Sequence, residues 1–463
     1  MKLGKGIIEV LYANILNLMI AVVNGFLLPK YLTVETYADL KTFLLYMSYI
    51  GILHFGYIDG IYLKYGGKDL HSIQKEQLAT EKKVLALFQI IMSLPIMLAG
   101  LFTANLSFIF ISLCIMPYNL IYFYKIIYQV TGTFHKYRTI TVLCPALICA
   151  FQVLFIFILK VKKSIWYIGI QVMVYSLVFV YYECQNPLSG FRRRISAGKA
   201  KTVISENIKL GFVIMLGNFM GVWITSIDRW FVKFCCSVRE FAHYSFAVTM
   251  LRLINTVVTA FSITLYNYLC KNLEISKIYR LRKVVFVSGA AVIGTFFPIN
   301  WIIRLFINNY TGAIFSVQIL FAAQFILIGV NAIYLNLYKV HNLQKKYLIR
   351  MGVITIVAFL TNAVIGSVWR NIAAYAFATL CTSVIWLVLC QRDLPDYKLE
   401  FSEWIYLLLV LAGYFLCNSF DVLAGMCMYI GWIFAVTLIV FHSEVGFWKT
   451  MLKRIVTKGR REH

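Results

Sequence analysis

The chain has 463 residues, 61% of them apolar and only 14% charged, with a mean hydropathy of +0.78. Soluble domains run at about 45–50% apolar and about 25% charged, so a water-soluble fold is excluded. Lys and Arg number 44 against 19 Asp and Glu, a formal charge of +25. Nucleic-acid binding would need that charge on a polar surface, whereas here it collects in short clusters between apolar runs.

In chain order, the first apolar stretch follows Met1 to Gly6 and contains Glu9, Asn14, Asn17 and Asn24. It lacks the uniformly apolar core and cleavage site of a signal peptide, and is read as a retained helix. Cutting wherever charge or turn residues collect gives fourteen predicted spans: 7–28, 41–65, 83–103, 107–131, 138–159, 164–184, 208–233, 241–269, 283–305, 313–338, 347–366, 371–391, 404–420 and 422–442. Each is long enough, at about 1.5 Å per residue, for a hydrocarbon layer of about 30 Å, although the thirteenth is marginal. The alternating segments of about 10 residues that a β-barrel requires are missing. The expectation is an all-α polytopic membrane protein of about fourteen transmembrane helices.

Placing the amino terminus in the cytoplasm puts 32 of the 44 basic residues on the cytoplasmic side and nine outside, with Lys125, Arg229 and Arg252 left inside helices. The positive-inside bias therefore sets both termini in the cytoplasm. One loop, with Lys160, Lys162 and Lys163, runs against the trend. The tail 443–463 spaces Trp448, Met451, Leu452, Ile455 and Val456 along one helix face and carries six basic residues. It reads as an amphipathic helix on anionic inner-leaflet lipid.

The eleven cysteines show no CxxC spacing, and no phosphate-cradling, zinc or nucleophile-elbow pattern occurs. No catalytic residue, metal site or cofactor is expected, and no nucleic-acid partner. An internal repeat is visible at an offset of 204 residues. Thr33-Val34-Glu35-Thr36-Tyr37-Ala38 matches Ser237-Val238-Arg239-Glu240-Phe241-Ala242, and Asn14 falls on Asn218. At an offset of 212, Asn119-Leu120-Ile121-Tyr122 matches Asn331-Ala332-Ile333-Tyr334. Two six-helix lobes follow, related by a pseudo-two-fold along the membrane normal: an N-lobe over 1–185 and a C-lobe over 208–392. A basic cytoplasmic linker at 186–207 joins them, and two extra helices occupy 404–442. Repeated halves suit alternating access to a site between them.

Phe26-Leu27-Leu28-Pro29-Lys30-Tyr31-Leu32, then Glu35-Thr36-Tyr37-Ala38 and a second span ending Phe55-Gly56-Tyr57-Ile58-Asp59-Gly60, resemble the opening helix pair of the Wzx-type polysaccharide flippases. Those flippases belong to the multidrug/oligosaccharidyl-lipid/polysaccharide exporter superfamily. Ile227-Asp228-Arg229-Trp230-Phe231-Val232 resembles the family's Asp-Arg element, and Tyr244-Ser245-Phe246-Ala247 the start of its eighth helix. Gly60-Ile61 stands where Gly-Leu is common. The resemblance runs along essentially the whole chain through the order of its pieces. It implies outward flipping of an undecaprenyl-pyrophosphate-linked oligosaccharide across the bacterial cytoplasmic membrane for cell-surface polysaccharide. Glycosyltransferases and a polysaccharide polymerase are implied as partners, and coupling to an H+ or Na+ gradient is left open. The alternative within the superfamily is a multidrug or small-cation exporter, which would favour carboxylates over cations in its cavity.

Five ionisable residues fall inside predicted spans, where a charge near the bilayer centre costs about 2.5–3.5 kcal/mol even on the lenient scale. Arg252, about twelve residues into span eight and so about 18 Å deep, is the first candidate for binding an anionic headgroup. Lys125 and Asp59, both toward the cytoplasmic ends of spans four and two, could pair with each other or meet substrate. Asp228 and Arg229 lie near the outer end of span seven, where Arg229 could extend into the headgroups. Asn14 and Asn218 could supply neutral hydrogen bonds at the lobe interface or simply join helices.

The topology is directly testable. Reporter fusions after residue 441 and within 186–207 should both read cytoplasmic; a tail on the outer face would remove an odd number of spans.

Overall fold

The computed structural model describes residues 2–185, 196–269 and 274–442. Among them the regular elements are helices and no strand occurs. In chain order these are α1 (Lys2–Tyr31), α2 (Val34–Met47), α3 (Tyr57–Tyr65), α4 (Lys75–Phe102), α5 (Leu106–Val130), α6 (Phe134–Phe157), α7 (Ser164–Gln185), α8 (Ala197–Ile224), α9 (Ile227–Cys235), α10 (Val238–Leu269), α11 (Ile275–Ile293), α12 (Phe296–Phe306), α13 (Ile314–Gly329), α14 (Leu335–Val340), α15 (Gln344–Val368), α16 (Ile372–Asp393), α17 (Phe401–Cys417) and α18 (Val422–Val440). Eleven helical stretches among the described residues are long and apolar enough to cross a membrane. The chain is an all-α polytopic membrane protein.

All fourteen predicted spans fall on helix, but three miss that measure for different reasons. The thirteenth, α17, has only 17 residues. The eighth falls in α10, where the side chains of several positions from 257 to 268 lie outside the described ones and so outside that measure. The second is broken: α2 ends at Met47 and α3 starts at Tyr57, with Phe55 and Gly56 at positive φ of 49° and 86° between them.

The chain divides into two compact units, Met1–Ile227 with Ser237–Ser245, and Asp228–Cys236 with Phe246–His463. This boundary differs from the expected lobes. The predicted linker at 186–207 is helical from Ala197, because Ser196 caps α8 by accepting from the Lys199 amide at 3.3 Å. Residues 197–207 therefore extend span seven by about three turns, and α8 packs within the first unit against α3. The amphipathic tail at 443–463 lies outside the described residues.

In the first unit, α4, α5 and α3 enclose a core built on Tyr57, Ile58, Ile61, Leu85, Leu120 and Phe123. Buried ion pairs close one end of it. Lys64 meets Glu81 at 2.5 Å, Tyr65 donates to the second Glu81 oxygen at 2.8 Å, and Lys82 pairs with Glu183, which also accepts from Tyr124 at 2.9 Å. Arg138 of α6 reaches Glu9 at 2.7 Å, which gives the carboxylate in span one its partner. The two halves of the first repeat match adopt the same local form: Thr33 caps α2 by accepting from the Thr36 amide, and Ser237 caps α10 by accepting from the Glu240 amide. The second match does not, since Asn119 sits in regular α5 whereas Asn331 lies in a π-helical turn at Val330–Tyr334.

In the second unit, α13 is almost wholly enclosed, and the rings of Phe296, Phe297, Tyr414 and Tyr429 pack with centroids 5.4–6.2 Å apart. Helix α17 is fixed by a fully buried fork: Arg282 donates to both Glu403 oxygens at 2.7 and 2.5 Å and to the Tyr397 and Lys398 carbonyls at 2.7 and 3.0 Å. Breaking one side of a buried pair strands the other charge, at about 3–5 kcal/mol. Glu403→Gln should lower the melting temperature in detergent sharply, whereas the double Arg282→Met, Glu403→Leu change should recover much of the loss. Equal destabilisation by the single and the double change would show that the pair itself carries the stability.

Candidate functional site

Breaking a helix inside a bilayer exposes carbonyls that lipid cannot satisfy, and such breaks persist only where protein or a cavity meets them. The break in span two is met from the side. Gln89 of α4 donates to the Leu53 carbonyl at 3.3 Å, and Asn119 of α5 donates to the Ile50 carbonyl at 3.3 Å and to the Gln89 side-chain oxygen at 2.7 Å. Gln89 and Asn119 are both fully buried. His54 turns back on the same break, its Nδ1 accepting from the Gly56 amide at 3.1 Å, with its ring stacked on Tyr122 at 6.1 Å.

The Nδ1 acceptor role leaves Nε2 carrying the proton in the neutral ring. That nitrogen lies 3.9 Å from Oδ2 of Asp59, which begins α3 and is 8% exposed. The other Asp59 oxygen accepts from Asn218 of α8 at 3.2 Å. The structure thus brings together two candidates distant in sequence, Asp59 and Asn218, and adds His54, Gln89 and Asn119. Asn218 is itself exposed. A little further along, Tyr49 and Ser226 share a hydrogen bond of 2.5 Å and Trp223 meets the Tyr49 ring edge-on at 6.1 Å.

Glycine permits this assembly. A Cβ on Gly60 would lie 2.1 Å from the Asn207 carbonyl oxygen, and one on Gly211 would lie 2.1 Å from the Gly56 carbonyl oxygen. Backbones of α3 and α8 therefore touch, as in the small-residue crossings of membrane helices. Gly56 has the further need of a left-handed backbone.

The remaining candidates lie elsewhere. The Lys125–Asp59 pair does not form: Lys125 of α5 sits over the Tyr137 ring of α6 at 5.6 Å, and Asp59 is occupied by Asn218 and His54. Asn14 is half-buried on α1. In the second unit, Asp228 and Arg229 open α9 and are each 6% exposed, so Arg229 does not extend outward. Asp228 accepts from the Arg229 amide at 2.7 Å and from the Thr379 hydroxyl of α16 at 3.4 Å, which closes the helix start. Arg252 is an exposed cation on α10.

What the sequence reading missed were neutral or cytoplasmic-looking groups. His54, Gln89 and Asn119 carry no charge that flags them, and Glu81 and Lys82 were counted with a loop. The legible signal was Ser48, Gly51 and Gly56 clustered inside one apolar run, since glycine there marks a break.

No family model matches the sequence, and no curated protein matches it. Among solved structures, the lipid II flippase MurJ in its inward closed conformation superposes with a TM-score of 0.68, covering 95% of this chain and 99% of that one at 12% identity. A MATE transporter of Vibrio cholerae, VcmN, covers 85% of this chain and 97% of that one at 12% identity, with a TM-score of 0.41. The first likeness shows a shared fold over 95% of this chain.

The glycine crossing makes a prediction with an internal control. Gly211→Ala should cost about 1–3 kcal/mol or more through overpacking and lower the melting temperature, while Gly221→Ala, where a Cβ meets open space, should leave it unchanged. Equal effects would mean that α3 and α8 do not touch as described.

Proposed function

We propose that the chain is a flippase that moves a lipid-linked oligosaccharide, on undecaprenyl pyrophosphate, across the bacterial cytoplasmic membrane by alternating access for cell-surface polysaccharide. One observation carries the reading: the fold matches, over almost the whole of both chains, that of a lipid II flippase. The chemistry of the intramembrane residues agrees with it. A pyrophosphate leaving water needs a positive partner, and a guanidinium offers a two-pronged donor to it.

Arg252 is the residue assigned to that partner. It is exposed on a helix whose neighbouring positions are Leu251, Leu253 and Ile254, and an arginine facing lipid at that depth would carry the insertion cost noted above. A polar cavity removes that cost. Lys125 is the second cation at membrane depth and would serve the first unit. Asp228 and Arg229 are structural in this reading, since both are buried at a helix start. The superfamily's cation exporters would place exposed carboxylates in such a cavity, whereas Asp59 and Asp228 are buried and hydrogen-bonded. Coupling to an H+ or Na+ gradient stays open in this reading, with glycosyltransferases supplying the substrate and a polymerase consuming it.

The test is complementation of a flippase-deficient strain with membrane levels measured in parallel. Arg252→Ala should abolish polymer export at unchanged abundance, and Arg252→Lys should retain part of it, since lysine keeps the charge but loses the fork. Full export by the alanine variant would remove Arg252 from the substrate site. Protection against cationic dyes with no export at all would favour the exporter.

A further inference from the structure

The loop joining α6 to α7, residues 158–163, is the one short connection whose charge opposes the topology bias, and its three lysines have no role in the flippase reading. Lys160, Lys162 and Lys163 are all exposed, and none of their ammonium groups meets a carboxylate or ring among the described residues. The backbone that carries them is firmly held. Leu159 and Val161 donate to the Leu154 and Phe155 carbonyls at 3.0 and 2.9 Å as α6 ends, with Lys160 in the left-handed region at φ 48°. The Val161 carbonyl accepts from the buried Tyr167 hydroxyl at 2.9 Å, and the Lys162 carbonyl accepts from Thr36 at 2.9 Å.

Beside the lysines stand apolar side chains with nothing over them. Phe157 is 50% exposed, Ile158 70%, Leu159 56% and Trp166 56%. Trp at such a level marks the membrane interface. Phe157 and Trp166 lie on the two helix ends and Ile158 and Leu159 in the turn with the lysines, so in a bilayer the ammonium groups would stand at headgroup height beside side chains able to enter the acyl region. Lys30, next to the Tyr31 ring that meets Phe157 edge-on at 5.1 Å, adds a fourth cation. The acidic groups in the neighbourhood are Glu35 and Asp39, both exposed, and Asp39 already accepts from Ser164 at 2.9 Å. The local balance stays positive.

We propose that the 158–163 turn is a binding site for the phosphate headgroups of anionic phospholipid, in the leaflet that the charge bias makes the outer one. A pinned turn with three unpaired ammonium groups needs no ordering when the lipid arrives, and each lysine near an anionic surface should enrich such lipid by roughly fivefold at most. The apolar flanks argue for a lipid over a soluble acidic partner, because a partner in water would leave them in hydrocarbon and gain nothing from them.

The experiment uses the full chain in phosphatidylcholine vesicles containing phosphatidylglycerol, with brominated acyl chains on one lipid or the other at equal mole fraction. The fluorescence lost in Trp166→Phe isolates the reporter in this loop. That component should be quenched several-fold more effectively by brominated phosphatidylglycerol than by brominated phosphatidylcholine. The preference should vanish in the triple change Lys160→Gln, Lys162→Gln, Lys163→Gln and persist in the corresponding triple arginine variant, which controls for folding. Equal quenching by the two lipids in the wild-type chain, or a preference that survives the glutamine variant, would overturn the proposal.

Discussion

A backbone that leaves the helical path inside a hydrocarbon layer must find hydrogen bonds from its own protein, and in this chain that constraint centres on the break between Met47 and Tyr57. The Leu53 carbonyl accepts from Gln89, and the Ile50 carbonyl, which the Leu53 amide already reaches in a short 3-10 turn, takes a second donor from Asn119. Because those donors come from α5 and α4, the break locks three spans together. Because Gly56 and Gly60 follow it, α3 emerges close enough to α8 for backbone contact, and Asp59 meets Asn218. Substituting a regular helix would remove the reason for two buried amides, one buried imidazole and three glycines.

Charge is handled in two ways. Where lysine, arginine and glutamate are drawn inside at the ends of helices, each has a named partner: Lys64 with Glu81, Lys82 with Glu183, Arg282 with Glu403, Arg350 with Asp393 at 2.5 Å. Desolvation makes such pairs modest contributors to stability but expensive to break, so they act mainly to fix which helix end meets which. Arg252 and the 158–163 lysines are different, being exposed. The proposals above give Arg252 a pyrophosphate and the 158–163 lysines a phospholipid.

The positive-inside argument and the structure bear on different questions. Counting 32 basic residues against nine predicts an orientation but treats every lysine as equivalent. Lys82 is 1% exposed and Lys160 stands open on a turn, so the same residue type is a buried structural tie in one place and a surface group in the other.

The sequence by itself determined the class of the molecule and the positions of its helices, because hydrocarbon thickness fixes a span length that apolar runs either meet or do not. It also marked Thr33 and Ser237 as equivalent helix starts, since capping is local. Asp59 and Asn218 were singled out as polar groups in apolar runs, but their hydrogen bond was not legible: 159 residues separate them, and only the approach of α3 to α8 brings the amide to the carboxylate. The same holds for Arg282 with Glu403, and for Lys125, whose sequence-level partner Asp59 was already taken. Helix identity is set by local pattern and solvent; which polar groups meet is set by packing, and packing here was decided by glycine positions whose meaning appears only when a second backbone lies against them.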